Sequence, residues 1–394
     1  MSSEKDLNTF KILKNVAWPM GIWPLSDNYF SLFRTLVLIA IQISLVACVT
    51  IEITLGCCNP EEVIDFIELQ KFGTIAALKV ILVRYYRDNI ARIITTMNDD
   101  WFVTRKEELI KIMRSYARTG NIVFYAQGIS TSTVIFFQVV GNLPFFTPGV
   151  KLNTTNGTEE IIFERMLPQR TKCLFMNVSS TSYALVYFLQ SIQLICTGLG
   201  NVGTDIFFFS LAMHVSGQLE ILKQELAEFQ GLNNLNEDKL RIVTLSKRHQ
   251  KLLDDVQSLE RTFNLIILVQ LAINITGISL FGIQLIVNLR KYGILAAIKP
   301  LTAIDVLMVQ LGLYCYAGEV LSTKVKMITL GAYQSCWYEL KKNLAKNIYF
   351  IMIRAEQPFR LTAGKLVGMN MDTFTNIIKV SVTYFSVLRL MLDT

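Results

Sequence analysis

Seven stretches of the chain are apolar over about 20 residues or more, the length of helix that crosses a bilayer core, and this feature restricts the fold more than any other. They run roughly over positions 32–55, 63–85, 121–146, 183–213, 263–289, 301–321 and 374–392. The second is the least apolar, because it holds Asp65, Glu68, Lys71 and Lys79. It fits an interfacial or bundle-shielded helix as well as a span, and without it the count is six. Hydrophobic residues make up 52% of the 394 and charged residues only 18%, with a mean hydropathy of +0.41. The charges cluster between the apolar runs, as a bilayer requires when buried charge is costly. The pattern predicts an all-α membrane protein with seven transmembrane helices.

Lysines and arginines orient the spans. The N-terminal segment and the loops 86–120 (with Arg84), 214–262 and 322–373 carry 3, 8, 7 and 8 of them, whereas 56–62, 147–182 and 290–300 carry 0, 4 and 3. The positive-inside bias places the first set in the cytosol, so the N-terminus is expected inside and the C-terminus outside. Sequons at Asn153, Asn156 and Asn177 all fall in the third-to-fourth loop, which the same reading makes extracellular and glycosylated. Residues 1–30 are polar, hold Lys5, Lys11 and Lys14 and have no apolar signal-peptide core. Trp18 and Trp23 suit a membrane interface or plain packing. Only Asp393 and Thr394 follow the last run, which leaves no expected cytoplasmic tail.

These boundaries divide the chain into an N-terminal segment with four spans (1–213), a cytosolic helical hairpin (214–262), spans five and six (263–321), cytosolic anchor helices (322–370) and a closing helix (371–394). Within the hairpin, Leu219, Leu222, Leu226 and Phe229 recur at helical spacing. Gly231 to Asn234 break the pattern, and Leu245, His249, Leu252, Val256, Leu259 and Phe263 resume it. A third stripe, Trp337, Leu340, Leu344, Ile348 and Ile351, ends before Pro358. Three such faces must be covered, by this chain or by a neighbouring subunit. His249 is expected to be buried and hydrogen-bonded, and His214 to lack a partner.

Seven dispersed cysteines suggest neither a disulfide framework nor a zinc site. Cys57 or Cys58 could bridge to Cys173, with free thiols the alternative. There is no phosphate loop, H-E-x-x-H or G-x-S-x-G, so no enzyme activity, catalytic residue, cofactor, metal or nucleic-acid partner is expected. Ionisable groups inside or beside the apolar runs, Glu52, Lys79, Asp205, Asp305, Glu319 and Lys379, suit either ion paths or local satisfaction near span ends.

The last run carries a polar stripe. Thr375, Lys379, Thr383 and Ser386 share one helical face, and Arg389 extends it. Such a face meets either a neighbouring helix or water in a conduit, and periodicity leaves both open.

The segment MDTFTNIIKVSVTYFSVLRLM (371–391) resembles the carboxyl-terminal signature of insect odorant receptors, and AYQSCWYELKKNL (332–344) with IRAEQPFRLTAGK (353–365) resembles the block before it. The resemblance implies an odorant-gated, nonselective cation channel of four subunits, with the last helix of each around a central pore. It also implies a plasma-membrane location on an olfactory dendrite, and a partnership with co-receptor subunits. The long insertion that marks the co-receptor between spans four and five is missing, which implies a tuning subunit. Carried over by the family ending, Val387 and Met391 occupy the hydrophobic-gate positions and Thr383 the wetted pore. Arg389 departs from the pattern, since a cation at the outer pore end disfavours cations. The family places a small volatile ligand in the outer half of the membrane between spans two, three, four and six. By depth this selects Phe72, Ile75, Ile135, Phe136, Val139, Tyr183, Val186, Tyr187, Met308 and Leu311. The competing classes are a seven-span receptor acting through a cytosolic transducer and a transporter; the internal repeats of the latter are not seen.

Overall fold

The computed structural model describes residues 11–393 except 27, 57–59, 105, 144–148, 154–158, 164–165, 176–178 and 232–233. It is a helical bundle whose long helices are α1 (Tyr29–Thr54), α2 (Pro60–Tyr85), α3 (Arg87–Val103), α4 (Glu107–Val140), α5 (Ser180–Ala227), α6 (Leu235–Lys291), α7 (Ile294–Gln334), α8 (Lys342–Glu356) and α9 (Met371–Asp393). Two small antiparallel hairpins interrupt them. Strands β1 (Gly149–Asn153) and β2 (Glu159–Phe163) lie between α4 and α5, and β3 (Thr362–Ala363) and β4 (Val367–Gly368) lie just before α9. Helices α1, α4, α5, α6 and α7 are long and apolar enough to cross a membrane. At 26 and 23 residues, α2 and α9 are long enough but more polar.

The longest helices outrun a bilayer. At about 1.5 Å per residue, α5 and α6 extend roughly 70 and 85 Å, against a hydrocarbon core of about 30 Å. Helix α5 passes position 213 and α6 passes position 262 without a break. The two hairpin helices expected between 214 and 262 are their extensions. Helix α5 is the axis of the fold, with every residue from Gly200 to Leu219 buried, as expected of a helix enclosed on all sides. Small residues let its neighbours approach: a Cβ on Gly200 would stand 3.2 Å from that of Ala76 on α2.

Three local features depart from the sequence expectation. Helix α7 starts at Ile294, ahead of Pro300, instead of after it. Proline removes the hydrogen bond to the carbonyl four residues earlier, and the freed Ala296 carbonyl is satisfied by Asn288 Nδ2 at 3.0 Å. The stripe from Trp337 to Ile351 is not one helix. Trp337–Glu339 form a 3-10 turn, and Leu340 and Lys341 lie outside the helical region before α8 begins. The segment 86–120 is itself helical on both sides of a short break, as α3 and the start of α4.

Helix α3 also corrects the reading of His214, whose Nε2 lies 3.1 Å from Asp100 Oδ2. His249 is buried as expected, but its Nε2 has no hydrogen-bond partner among the described residues. Burial and then the nearby Arg354 push its pKa down to about 4, so the ring stays neutral and the missing bond leaves no buried charge. Cys173 is disulfide-bonded, while Cys48, Cys196, Cys315 and Cys336 are free. Its partner lies outside the described residues, as do Cys57 and Cys58. Asn153 ends β1, and Asn156 and Asn177 lie outside the described residues.

Candidate functional site

A cavity of about 160 Å3 lies inside the bundle, with Phe66 and Phe72 of α2, Ile135 of α4, Leu194 of α5, Phe281 of α6 and Ala303 of α7 among its walls. Aromatic and aliphatic side chains make up about half of the lining and polar or charged ones the rest, which suits a small ligand with an apolar body and a polar anchor. Gln169 and Arg170, from the loop before α5, form part of the boundary.

That loop is held down with unusual completeness. Glu52, at the end of α1, accepts the backbone N–H groups of Lys172, Cys173 and Leu174 at 2.6, 2.7 and 3.0 Å. Tyr183 donates to the Met166 carbonyl at 2.8 Å. Gln138 donates to the Pro168 carbonyl at 2.8 Å. Gln190 accepts from the Gln169 N–H and donates to Thr171. Hydrogen bonds to a carboxylate are stronger than neutral ones, so Glu52 is the firmest of these ties. Its place near a span end and its contact with a loop fit the expectation of local satisfaction.

Beside the cavity, Asp65 takes Lys299 at 2.7 Å, Gln284 at 2.6 Å and Arg170 at 3.7 Å. Deeper in the bundle, Lys79 and Asp205 form an ion pair of 2.6 Å with both side chains fully buried. Asp205 also accepts from Gln127 at 3.3 Å, and from Gln310 and Tyr314. Gln270 extends the network to Gln310 at 2.8 Å and Asn274 at 2.9 Å. Four helices, α2, α4, α5 and α7, thus meet at one carboxylate, and α6 joins the network through Gln310. An isolated charge there would be costly, whereas a paired and fully bonded one is tolerated. The sequence marked Lys79 and Asp205 separately as ionisable groups in apolar runs; nothing in spacing indicated that residues 126 positions apart are partners.

Of the ten side chains selected by depth, Phe72 and Ile135 line the cavity. Met308 packs with Phe72 against Phe281 and Leu307 just outside it. Ile75 and Leu311 are 1% exposed and belong to the interhelical core. Phe136 faces outward, since adjacent helical residues point about 100° apart. Val139 and Val186 are half-buried away from the lining. Tyr183 ties the loop down, and Tyr187 donates to the Val139 carbonyl. Asn201, Thr131, Gln169 and Arg170 line the cavity and were not selected. A polar residue within an apolar run was the available signal for the first two.

Helix α9 packs on α6 and α7 through Ile377 and Phe374. The β3–β4 hairpin sets its start: the Gly364 N–H donates to the Asn264 carbonyl at 2.8 Å, and Thr362 bonds Glu260 at 2.5 Å. Gly318 lets α7 close on this corner, because a Cβ there would stand 2.2 Å from the Met369 carbonyl. The other side of α9 is uncovered. Thr375, Lys379, Thr383 and Ser386 are all exposed, and Val387 is 51% exposed. The hydroxyls of Thr375, Thr383 and Ser386 bond carbonyls four residues back in the same helix. Met391 lies in the last turns, and its side chain is outside the described residues.

Long apolar helices around an internal cavity define a multi-pass helical membrane protein. The family model described as 7tm Odorant receptor matches residues 59–382, and the chain belongs to that family, one of receptors and not of enzymes. It is 23% identical to Odorant receptor 10 of Aedes albopictus, over 53% of this chain and 56% of that one. It is 26% identical to Odorant receptor 13a of Drosophila melanogaster, over 52% and 53%. These matches span about half the length of either relative. Odorant receptor 22c of Drosophila melanogaster is 21% identical over 86% and 85%. The fold is that of the insect olfactory receptor OR5 from Machilis hrabei, solved in complex with eugenol. That structure superposes with a TM-score of 0.75 at 12% identity, covering 98% of this chain and 99% of that one.

Proposed function

We propose that this chain is the odorant-binding, tuning subunit of a ligand-gated, nonselective cation channel in the plasma membrane of an olfactory neuron dendrite. Its N-terminus lies in the cytosol, the glycosylated third-to-fourth loop lies outside, and it assembles with co-receptor subunits as a hetero-oligomer, a tetramer in this reading. The observation that carries the proposal is the uncovered face of α9: an otherwise membrane-compatible helix leaves Thr375, Lys379, Thr383 and Ser386 without cover from its own chain. Four copies of that face around an axis would border a wetted path.

In this reading a volatile ligand occupies the cavity walled by Phe72 and Ile135, with Met308 packed behind Phe72 and Tyr183 holding the bounding loop in place. Thr383 lines the pore. Val387 and Met391, one turn apart, close it by excluding water, and opening rotates or separates them. Helix α7 is suited to join the two sites: Gln310 borders the cavity, and Gly312, two residues on, lies 3.8 Å from the Phe374 ring by its projected Cβ.

The test is current recording in cells that express the chain with an insect co-receptor, under a panel of volatiles and with G-protein signalling blocked. At least one volatile is expected to evoke a cation current that survives the block. No current at normal surface expression, or a current abolished by the block, contradicts the channel reading.

A further inference from the structure

The polar atoms around the cavity are unevenly used. The Asn201 amide donates through Nδ2 to the backbone carbonyls of Phe72 at 3.0 Å and Thr197 at 3.1 Å. Those two carbonyls fix the amide's orientation, since only its nitrogen can donate to them. Gln138 donates to Pro168 O, Gln310 to Asp205, and Lys299 to Asp65. The lining's donors are thus turned into the protein. What remains unpartnered among the described residues includes Asn201 Oδ1, Gln169 Oε1, Glu68 Oε2 and the Thr131 hydroxyl, of which the first three can only accept. Arg170 Nε is an unpartnered donor, but its guanidinium lies at the loop boundary and faces Asp65.

Among the acceptors, Asn201 is the best placed. Glu68 Oε2 lies against α6, 3.5 Å from where a Cβ on Gly277 would stand, and Gln169 belongs to the loop. Asn201 sits on the rigid axis helix at 6% exposure. The charges around it are matched: Glu62 pairs with Lys172, Asp65 with Lys299, and Glu68 with Lys71. A cationic amine finds no unpaired carboxylate among these, whereas a neutral hydroxyl finds an oxygen awaiting a proton.

We propose that the cavity takes a neutral, mostly apolar volatile bearing a hydroxyl, an alcohol or a phenol, which donates its proton to Asn201 Oδ1. This deepens the channel reading above and rests on it. A hydroxyl satisfies a buried acceptor that an ether, ester or hydrocarbon leaves unmade, and sites with an unpaired buried polar group discriminate against ligands that cannot pair it. Buried water is the alternative occupant of such an acceptor, and it would give no preference between ligand classes.

The experiment records currents from the chain co-expressed with an insect co-receptor, using alcohols from butanol to decanol and benzyl alcohol, each against its own methyl ether. In the wild type the best alcohol is expected to act at a roughly three- to tenfold lower half-maximal concentration than its ether. Asn201→Leu removes the acceptor at similar volume and is expected to erase that advantage while the ether still opens the channel. The ether response also reports that the variant is folded and assembled; if the variant does not reach the surface, the wild-type pairs decide alone. Equal potency of alcohol and ether in the wild type, or an advantage unchanged in a conducting Asn201→Leu channel, overturns the proposal and leaves the channel reading intact. Silence toward every pair and toward the wider volatile panel, at normal surface expression, contradicts the channel reading and the proposal with it.

Discussion

The middle of α5 and the length of α9 carry polar side chains in similarly apolar surroundings, and the structure treats them in opposite ways. From Gly200 to Leu219 every residue of α5 is buried, and Asp205 is met by groups from three other helices. On α9 the polar row faces away from the chain, and its hydroxyls bond only their own helix. Polarity that a fold needs for itself is closed within the chain. Polarity left open implies a partner outside it, and an α9 of one subunit has only lipid, water or another subunit to face.

Breaking the closed network gives the largest effect. Lys79→Ala leaves Asp205 without its counter-ion in a dry interior, at a cost of about 3–5 kcal/mol, and is expected to abolish surface expression. Lys79→Met combined with Asp205→Asn removes both charges and is expected to recover part of it, as read by surface labelling and by the melting midpoint in detergent. On the open helix, Val387→Ser should leave folding intact and raise basal current several-fold, because a polar residue favours water at a hydrophobic constriction. Unchanged basal current at normal surface expression would remove Val387 from the gate.

The loop that bounds the cavity lies between these extremes. Glu52→Ala leaves the Lys172, Cys173 and Leu174 N–H groups without their acceptor, at about 1–3 kcal/mol. The expected result is a lower melting midpoint and weaker odorant sensitivity, with Glu52→Gln milder than Glu52→Ala. An alanine variant with wild-type sensitivity and stability would show that the loop does not shape the site.

The smallest effect lies in the extension that α5 and α6 form beyond their apolar runs. Burial, reinforced by Asp100 and Asp254 against Lys251 and Arg92, pushes the Asp255 pKa up to about 6. A carboxyl raised in the folded state contributes stability below its ordinary pKa and loses it as pH rises through 6. Asp255→Asn is therefore expected to stabilise the extension at pH 7 by roughly 1 kcal/mol after solvent screening. The difference should narrow as pH falls through 6 and close near pH 4. His249 acts with the opposite sign, losing stability as pH falls through 4, so the Asn variant must be compared with wild type at each pH. A gap that widens on acidification would contradict the assignment.

How much of this was legible in the sequence follows the same division. The long helices were readable because bilayer length and charge placement act locally: the polar stripe of α9 and the apolar stripes around Leu222 and Val256 appear where spacing put them. The pairings were not. Lys79 finds Asp205 only after α2 and α5 pack, and His214 finds Asp100 only because α3 folds against α5. Depth in the membrane is readable from sequence, but rotation about a helix axis requires knowing the neighbours. That is why Ile135 lines the cavity while Phe136, at the same depth, does not. Tyr183 and Tyr187 look like ligand-facing aromatics until their hydroxyls are seen to hold the Met166 and Val139 carbonyls.

The central claim, that the exposed face of α9 borders water between subunits, is tested most directly by cysteine substitution along that helix. Thr383→Cys is placed on the open face and Ile377→Cys on the face packed against α6 and α7, each co-expressed with a co-receptor and exposed to a water-soluble thiol reagent during odorant-evoked current. The account predicts that current through Thr383→Cys channels falls as the reagent reacts, while Ile377→Cys and wild-type channels, with their native cysteines, do not respond. A Thr383→Cys channel that conducts normally and is untouched by the reagent, whether open or closed, would place that face in lipid or against protein and contradict the account.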